Sequence, residues 1–354
     1  MKPQAASNTL SRGPVIIDVH GFDLTDQERD RLLHPLVGGV ILFARNFQSR
    51  DQLRSLTDSI RALPREPLLI AVDHEGGRVQ RFKMDGFTVL PPMARLGEVW
   101  NEDMMRAMQL ATDVGRVMAG ELRACGVDLS FAPVLDLDYG ESRVIRDRSF
   151  HRNPQAVTML ARSLIQGMAL EGMAACGKHF PGHGFVEADS HLNIPYDDRS
   201  LNTILNADAL PYRWLGDAVL PAVMPAHVIY PQVDERPAGF SSVWLQDVLR
   251  KQLNYQGVVF SDDLTMEGAS VAGNIVDRAR AALDAGCDMV LVCNRPDLAD
   301  QVLAGLDREV APPSQQRVNN LMPRMPAAAW EALDKKPGFQ LARQSIAQWL
   351  THAA

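Results

Sequence analysis

The sequence predicts a (β/α)8 TIM barrel, a single domain with a C-terminal helical tail. Three observations predict it. Eight short apolar runs recur along the 354 residues, with amphipathic helical patterns between most of them. The runs are continuous rather than alternating, as strands covered on both faces by helices should be. Five of them end in charged residues, and in a barrel of this kind active-site groups stand at the C-terminal ends of strands. A doubly wound sheet is the main rival, but no GxGxxG opens a helix after a strand.

The runs, in order, are PVIIDV (14–19), GGVILF (38–43), LLIAV (68–72), VDLSFAP (127–133), MAACGKHF (173–180), AVLPAVMPAHV (within 218–228), GVVFSDD (257–263) and DMVLVC (288–293). Helical patterns lie between them at 102–126, where Gly126 supplies a stop, and at 156–172 and 274–286. The barrel should span about 14–310. APPSQQR (311–317) then leads into a helical appendage at about 311–354 rather than a second domain. The Met pair at 104–105 and the other scattered methionines read as core filler.

Composition bounds the function. Hydrophobic residues at 46% and charged residues at 22% suit a chain with a sizeable core. A net charge of −7 argues against a nucleic-acid partner, which calls for a basic face. No apolar run is long enough for a membrane span. The first twenty residues lack a basic stretch followed by a long apolar run, so no secretory signal is expected. The four cysteines form no CxxC pair, which fits a reducing, cytoplasmic setting without a disulfide framework. No protein partner is implied.

The polar strand ends carry the functional signal. LLIAV runs into Asp73, His74, Glu75, Gly76, Gly77 and Arg78. The fourth run ends in Asp136 and Asp138, with Arg148 following. The fifth ends in Lys178 and His179, the sixth in His227, and the seventh in Ser261, Asp262 and Asp263. KHFPGHGFVEADSH, from Lys178 to His191, holds three histidines in fourteen positions. Three readings compete for it. His179, His183 and His191 could hold a metal, but Pro181, Gly182 and Gly184 forbid a helix that would bring the first two together. Its glycines could cradle a phosphate, but no helix clearly begins there. Asp189 could orient His191 and raise its basicity, so that the imidazole gives and takes a proton near neutral pH. The bland alternative is a solvated loop. Asp262 is a candidate nucleophile whose other reading is a helix N-cap; Asp263 could serve as that cap instead.

KHFPGHG followed by DSH, VDHEGGRVQRF and VVFSDDLTMEGA together resemble the family 3 glycoside hydrolases, above all the single-domain bacterial β-N-acetylhexosaminidases that act in peptidoglycan recycling. The likeness runs from about Val15 to Cys293. The resemblance implies a retaining double displacement. Asp262 matches the nucleophile, His191 the general acid/base, and Asp189 its dyad partner. Most retaining glycosidases use two carboxylates; here a histidine replaces one, and the neutral imidazole puts no second negative charge beside the glycosyl ester. Asp73, Arg81, Arg148, Lys178 and His179 would bind the sugar, with His227 reaching the pocket from the sixth strand. Structural alternatives stand beside these. Asp73 could pair with Arg78 or Arg81, and Arg148 with Asp136 or Asp147, while Glu75, Arg78 and His183 read as structural. His74, where many relatives carry Gln, and Pro225, where Ser or Thr is common, depart from the pattern. No metal and no organic cofactor is implied.

The expected activity is release of non-reducing terminal GlcNAc from muropeptide fragments, GlcNAc-1,6-anhydroMurNAc with or without peptide. Its rivals are a phosphorylase, a β-glucosidase, a metal-dependent barrel hydrolase and a non-catalytic sugar-binding module.

Overall fold

The computed structural model describes residues 11–187 and 194–352. Eight parallel strands close into a barrel: β1 (Val15–Asp18), β2 (Val37–Leu42), β3 (Leu69–Val72), β4 (Leu129–Ser130), β5 (Ala174–Phe180), β6 (Ala222–Pro225), β9 (Val258–Asp263) and β10 (Met289–Val292), with β10 pairing back onto β1. β7 (Ile229–Tyr230) and β8 (Asp234–Pro237) form a small antiparallel hairpin after β6. All eight apolar runs supply barrel strands. The fourth shrinks most. Phe131 N–H still donates to the Val72 carbonyl, but Pro133 has no N–H to continue the ladder.

Alternation along each strand builds two cores. Val15 and Ile17 face the surrounding helices, while Ile16 faces inward with Ile41, Leu69, Leu129, Phe131, Cys176, Met224, Val258, Phe260, Met289 and Leu291. Phe131 and Phe260 meet edge-to-face at 5.3 Å across this interior. Val318 and Leu321, from helix Pro312–Leu321, join the inner cluster beside residues that begin their strands. They plug the N-terminal end of the barrel. Asp288, just before β10, ties that helix down by accepting from Arg317 and Ser314.

The pattern at 102–126 forms one helix, Met104–Ala124, and a separate helix, Ala94–Glu102, ends directly before it. Asp103 divides them because its carboxylate caps the longer one, accepting from Arg106 N–H at 3.0 Å. Gly126 follows the end with φ of 84°, the left-handed conformation that favours glycine. Met104 and Met105 are not core filler. Both are exposed on the first turn, and the buried face starts at Ala107 and Leu110. The last helix, Pro337–His352, lays Phe339, Ala342, Ile346 and Trp349 on the main core. Gly120 makes the close approach possible, since a Cβ there would stand 2.5 Å from the Phe339 ring. Among the described residues, no helix is long and apolar enough to cross a membrane.

Candidate active site

A cavity of about 450 Å³ opens at the C-terminal end of the barrel. Asp73, Glu75, Arg81, Arg148, Lys178, His179, His183, Asp262 and Asp263 are among the residues that line it. The plugged interior beneath makes it blind.

Its charges are arranged in layers. Lys178, the fifth residue of β5, places Nζ 2.7 Å from both Asp73 Oδ1 and Glu75 Oε1. Arg148 closes on Glu75 with two bonds, Nε to Oε2 at 2.8 Å and Nη2 to Oε1 at 2.7 Å. Burial opposes the Glu75 charge, but Arg148 and Lys178 overcome it and hold the carboxyl far below the usual range. Lys178 is likewise disfavoured by burial, and Asp73 and Glu75 raise its pKa above the ordinary value. Arg81 approaches Asp73 at 3.8 Å, so of the two arginines considered for Asp73 it is Arg81 that comes near. Arg148 pairs with Glu75 rather than with Asp136 or Asp147, and Asp147 takes Arg78 instead.

Asp136 is fully buried and holds the start of the histidine-rich loop. One oxygen accepts from the His183 N–H at 2.7 Å, and the other lies 2.7 Å from His179 Nδ1. With Nδ1 held at this carboxylate, the orientation of the His179 ring is set. Burial lowers the His183 pKa to about 4, so this ring is neutral at physiological pH. Burial works against ionisation of Asp136, but His179 and the His183 N–H outweigh it and depress its pKa.

Asp262 and Asp263 end β9 and take different environments. Asp263 accepts from Thr265 N–H at 3.0 Å, Thr265 Oγ1 at 2.8 Å and Cys293 N–H at 3.1 Å, and so fixes the turn after the strand. Burial nevertheless raises its pKa to about 6. The Asp262 side chain accepts from the Asp263 N–H at 2.8 Å. Burial opposes its charge; His227, His179, the Asp263 N–H and Lys178 together outweigh that and keep its pKa below the ordinary value. His227 is itself fully buried, and burial lowers its pKa. His227 does not line the cavity. Its ring stacks on Phe240 at 5.3 Å, with Nε2 3.1 Å from the Asp263 carbonyl, behind Asp262. His74 is buried beside Phe82 and Phe87, away from the cavity. Asp189 and His191 lie outside the described residues.

Glu75, read as structural, stands at the centre of the charge cluster. Sequence reasoning passed over two contributors. Asp136 had no assigned role beside His179. Phe43, at the end of the second apolar run, forms a cavity wall with the guanidinium of Arg45 4.5 Å above its ring. Their long sequence separations leave no local pattern to find them by.

The sequence model of the glycosyl hydrolase family 3 N-terminal domain matches residues 15–322. The chain belongs to that family. It is therefore a glycoside hydrolase. It is 64% identical over 348 residues to a β-hexosaminidase of Bordetella avium, covering 98% of this chain and 99% of that one. The crystal structure of NagZ from Neisseria gonorrhoeae in complex with N-trifluoroacetyl-D-glucosamine superposes with a TM-score of 0.91 at 52% identity, covering 96% of this chain and 98% of that one. The same Neisseria protein is also seen in complex with zinc ion, with a TM-score of 0.90. Among the described residues here, no group of three or more His, Cys, Asp or Glu could hold a metal.

Proposed function

We propose that this family 3 enzyme is a retaining exo-β-N-acetylglucosaminidase. It removes terminal GlcNAc from GlcNAc-1,6-anhydroMurNAc, with or without peptide, in the cytoplasm during cell-wall recycling. The observation that carries the reading is the blind cavity with the ionised, half-buried carboxylate of Asp262 on its wall, beside the paired charges of Glu75, Arg148 and Lys178. A blind cavity accepts a chain end rather than a chain interior. Fixed charges and the His179 ring, held in place by Asp136, suit hydroxyl and amide groups of one sugar. The β-hexosaminidase relatives and the amino-sugar complex of the Neisseria protein agree with that ligand class.

In this mechanism Asp262 attacks the anomeric carbon. The bond to the leaving oxygen breaks as that oxygen takes a proton from His191, and a glycosyl ester forms on Asp262. His191, oriented by Asp189, then removes a proton from water, which attacks the same carbon and frees Asp262. Low Asp262 basicity fits both halves, because the carboxylate is ionised for attack and is a competent leaving group from the ester. Asp73, Arg81, Arg148, Lys178 and His179 hold the sugar, while His227 supports the Asp262 turn from behind.

The test is hydrolysis of an aryl β-N-acetylglucosaminide by the wild type and Asp262→Asn, with excess chelator and with or without phosphate. The reading expects chelator-resistant release of GlcNAc that Asp262→Asn abolishes. A requirement for metal, or GlcNAc-1-phosphate as the product, would replace it with a different mechanism.

A further inference from the structure

A blind cavity leaves the aglycone across its rim, so the rim residues are the ones that meet it. Two rim arginines differ in kind from the charges below them. Arg143 Nη2 lies 2.5 Å from Glu187 Oε1, with 71% and 63% of the two side chains exposed. Arg78 Nε lies 3.1 Å from Asp147 Oδ1, with 46% and 43% exposed. Glu75 and Lys178, by contrast, are each 3% exposed and locked together. A buried pair cannot be opened without leaving a charge unpaired, whereas an exposed pair is weak because water screens it and can replace either partner. An incoming carboxylate can therefore take the place of Glu187 or Asp147 and keep the guanidinium fork satisfied.

The charge balance points the same way. The whole chain carries −7, yet the cavity lining has five Arg and Lys (Arg78, Arg81, Arg143, Arg148 and Lys178) against four carboxylates. The side of the rim is set by the chain itself. Glu187 precedes Asp189 by two residues and His191 by four, so Arg143 pairs with the segment leading to the group that would protonate the leaving oxygen.

We propose that Arg78 and Arg143 form a leaving-group subsite that selects an aglycone carrying a carboxylate. The inference rests on the exo-glycosidase reading above and deepens it. Inward of the subsite the sugar is held by buried groups; at the subsite the selection is electrostatic and exchangeable.

The experiment compares kcat/KM for three probes that share a terminal N-acetylglucosamine: an aryl glycoside, GlcNAc-1,6-anhydroMurNAc with its lactyl carboxylate free, and the same disaccharide with that carboxylate converted to the methyl amide. The enzymes are the wild type, Arg78→Gln, Arg143→Gln and the double variant. The wild type should prefer the free acid over the amide about tenfold or more, as expected for bonds to a charged group. That preference should shrink with added salt and fall to about one in the double variant, with each single variant in between. A wild type that hydrolyses acid and amide alike, or a double variant that keeps the full preference, overturns the subsite. Failure of the wild type to hydrolyse even the aryl glycoside strikes at the activity itself and takes the subsite with it.

Discussion

Glu75 receives both forks of Arg148, at 2.7 and 2.8 Å, and Lys178 Nζ at 2.7 Å on the same carboxylate. One residue two positions beyond Asp73 thereby fixes two cations that arrive from other strands and loops. Glu75→Gln keeps the shape but removes the charge that both cations face. Loss of one member of a buried ion cluster costs about 3–5 kcal/mol. Chemical denaturation at neutral pH should show a loss of this size, and a variant as stable as the wild type would mean that the cluster contributes little. Because the folded pKa of Glu75 is depressed, its contribution is present above its unfolded value, near ~4.3, and is lost as pH falls below that. The gap between the two proteins should close in acid.

Asp136 is a positioning residue for His179 and for the loop that follows. Asp136→Asn lets an amide N–H face His179 Nδ1 and removes the charge that holds the ring. Displacement of a substrate-holding group by about 1 Å can cost on the order of 10²-fold in rate. Steady-state kinetics should show such a fall in kcat/KM, with a changed pH profile. An unchanged pH profile and unchanged kcat/KM would remove Asp136 from the account.

Glu121 is buried in helix Met104–Ala124 and accepts from Thr88 N–H at 2.9 Å and Thr88 Oγ1 at 2.6 Å. Burial is the largest influence and raises its pKa to about 7. A raised carboxyl binds its proton more tightly in the folded state, so this group costs stability as pH rises from ~4.3 towards 7. Glu121→Gln should remove that cost. Between pH 5 and pH 8 the variant should gain about 2–3 kcal/mol relative to the wild type in urea unfolding. A constant difference across this window would place the Glu121 pKa at its ordinary value.

We propose that the C-terminal appendage belongs to the same folding unit as the barrel. Gly120→Ala drives a methyl group into the Phe339 ring and should lower stability by about 1–3 kcal/mol through overpacking. The loss should vanish when residues 337–354 are also deleted. A deletion that leaves thermal unfolding unchanged would make the appendage a passive tail.

The barrel was legible because every strand carries its own apolar run and five of the eight runs end in charged residues, and both signals are local. β4 kept only two residues because Pro133 withholds a donor. The helix read at 102–126 is Met104–Ala124, and the Asp103 cap shows where it starts. Met104 and Met105 misled because apolar side chains on a first turn need not face the core. At the site, Asp73, Lys178 and Asp262 were visible as strand-end charges, and Arg148 as a charge following the fourth run. Their pairing was not: Arg148 reaches Glu75 across 73 positions and His179 meets Asp136 across 43. Such partners are set by the barrel's closure, which no sequence spacing encodes.

The measurement closest to the central claim is the mass of the protein quenched in acid during turnover of an aryl β-N-acetylglucosaminide with a fast leaving group. The account predicts a fraction carrying one added N-acetylglucosaminyl group, mapped by digestion to the peptide containing Asp262 and absent in Asp262→Asn. An adduct on another peptide, or full turnover by Asp262→Asn, would contradict it.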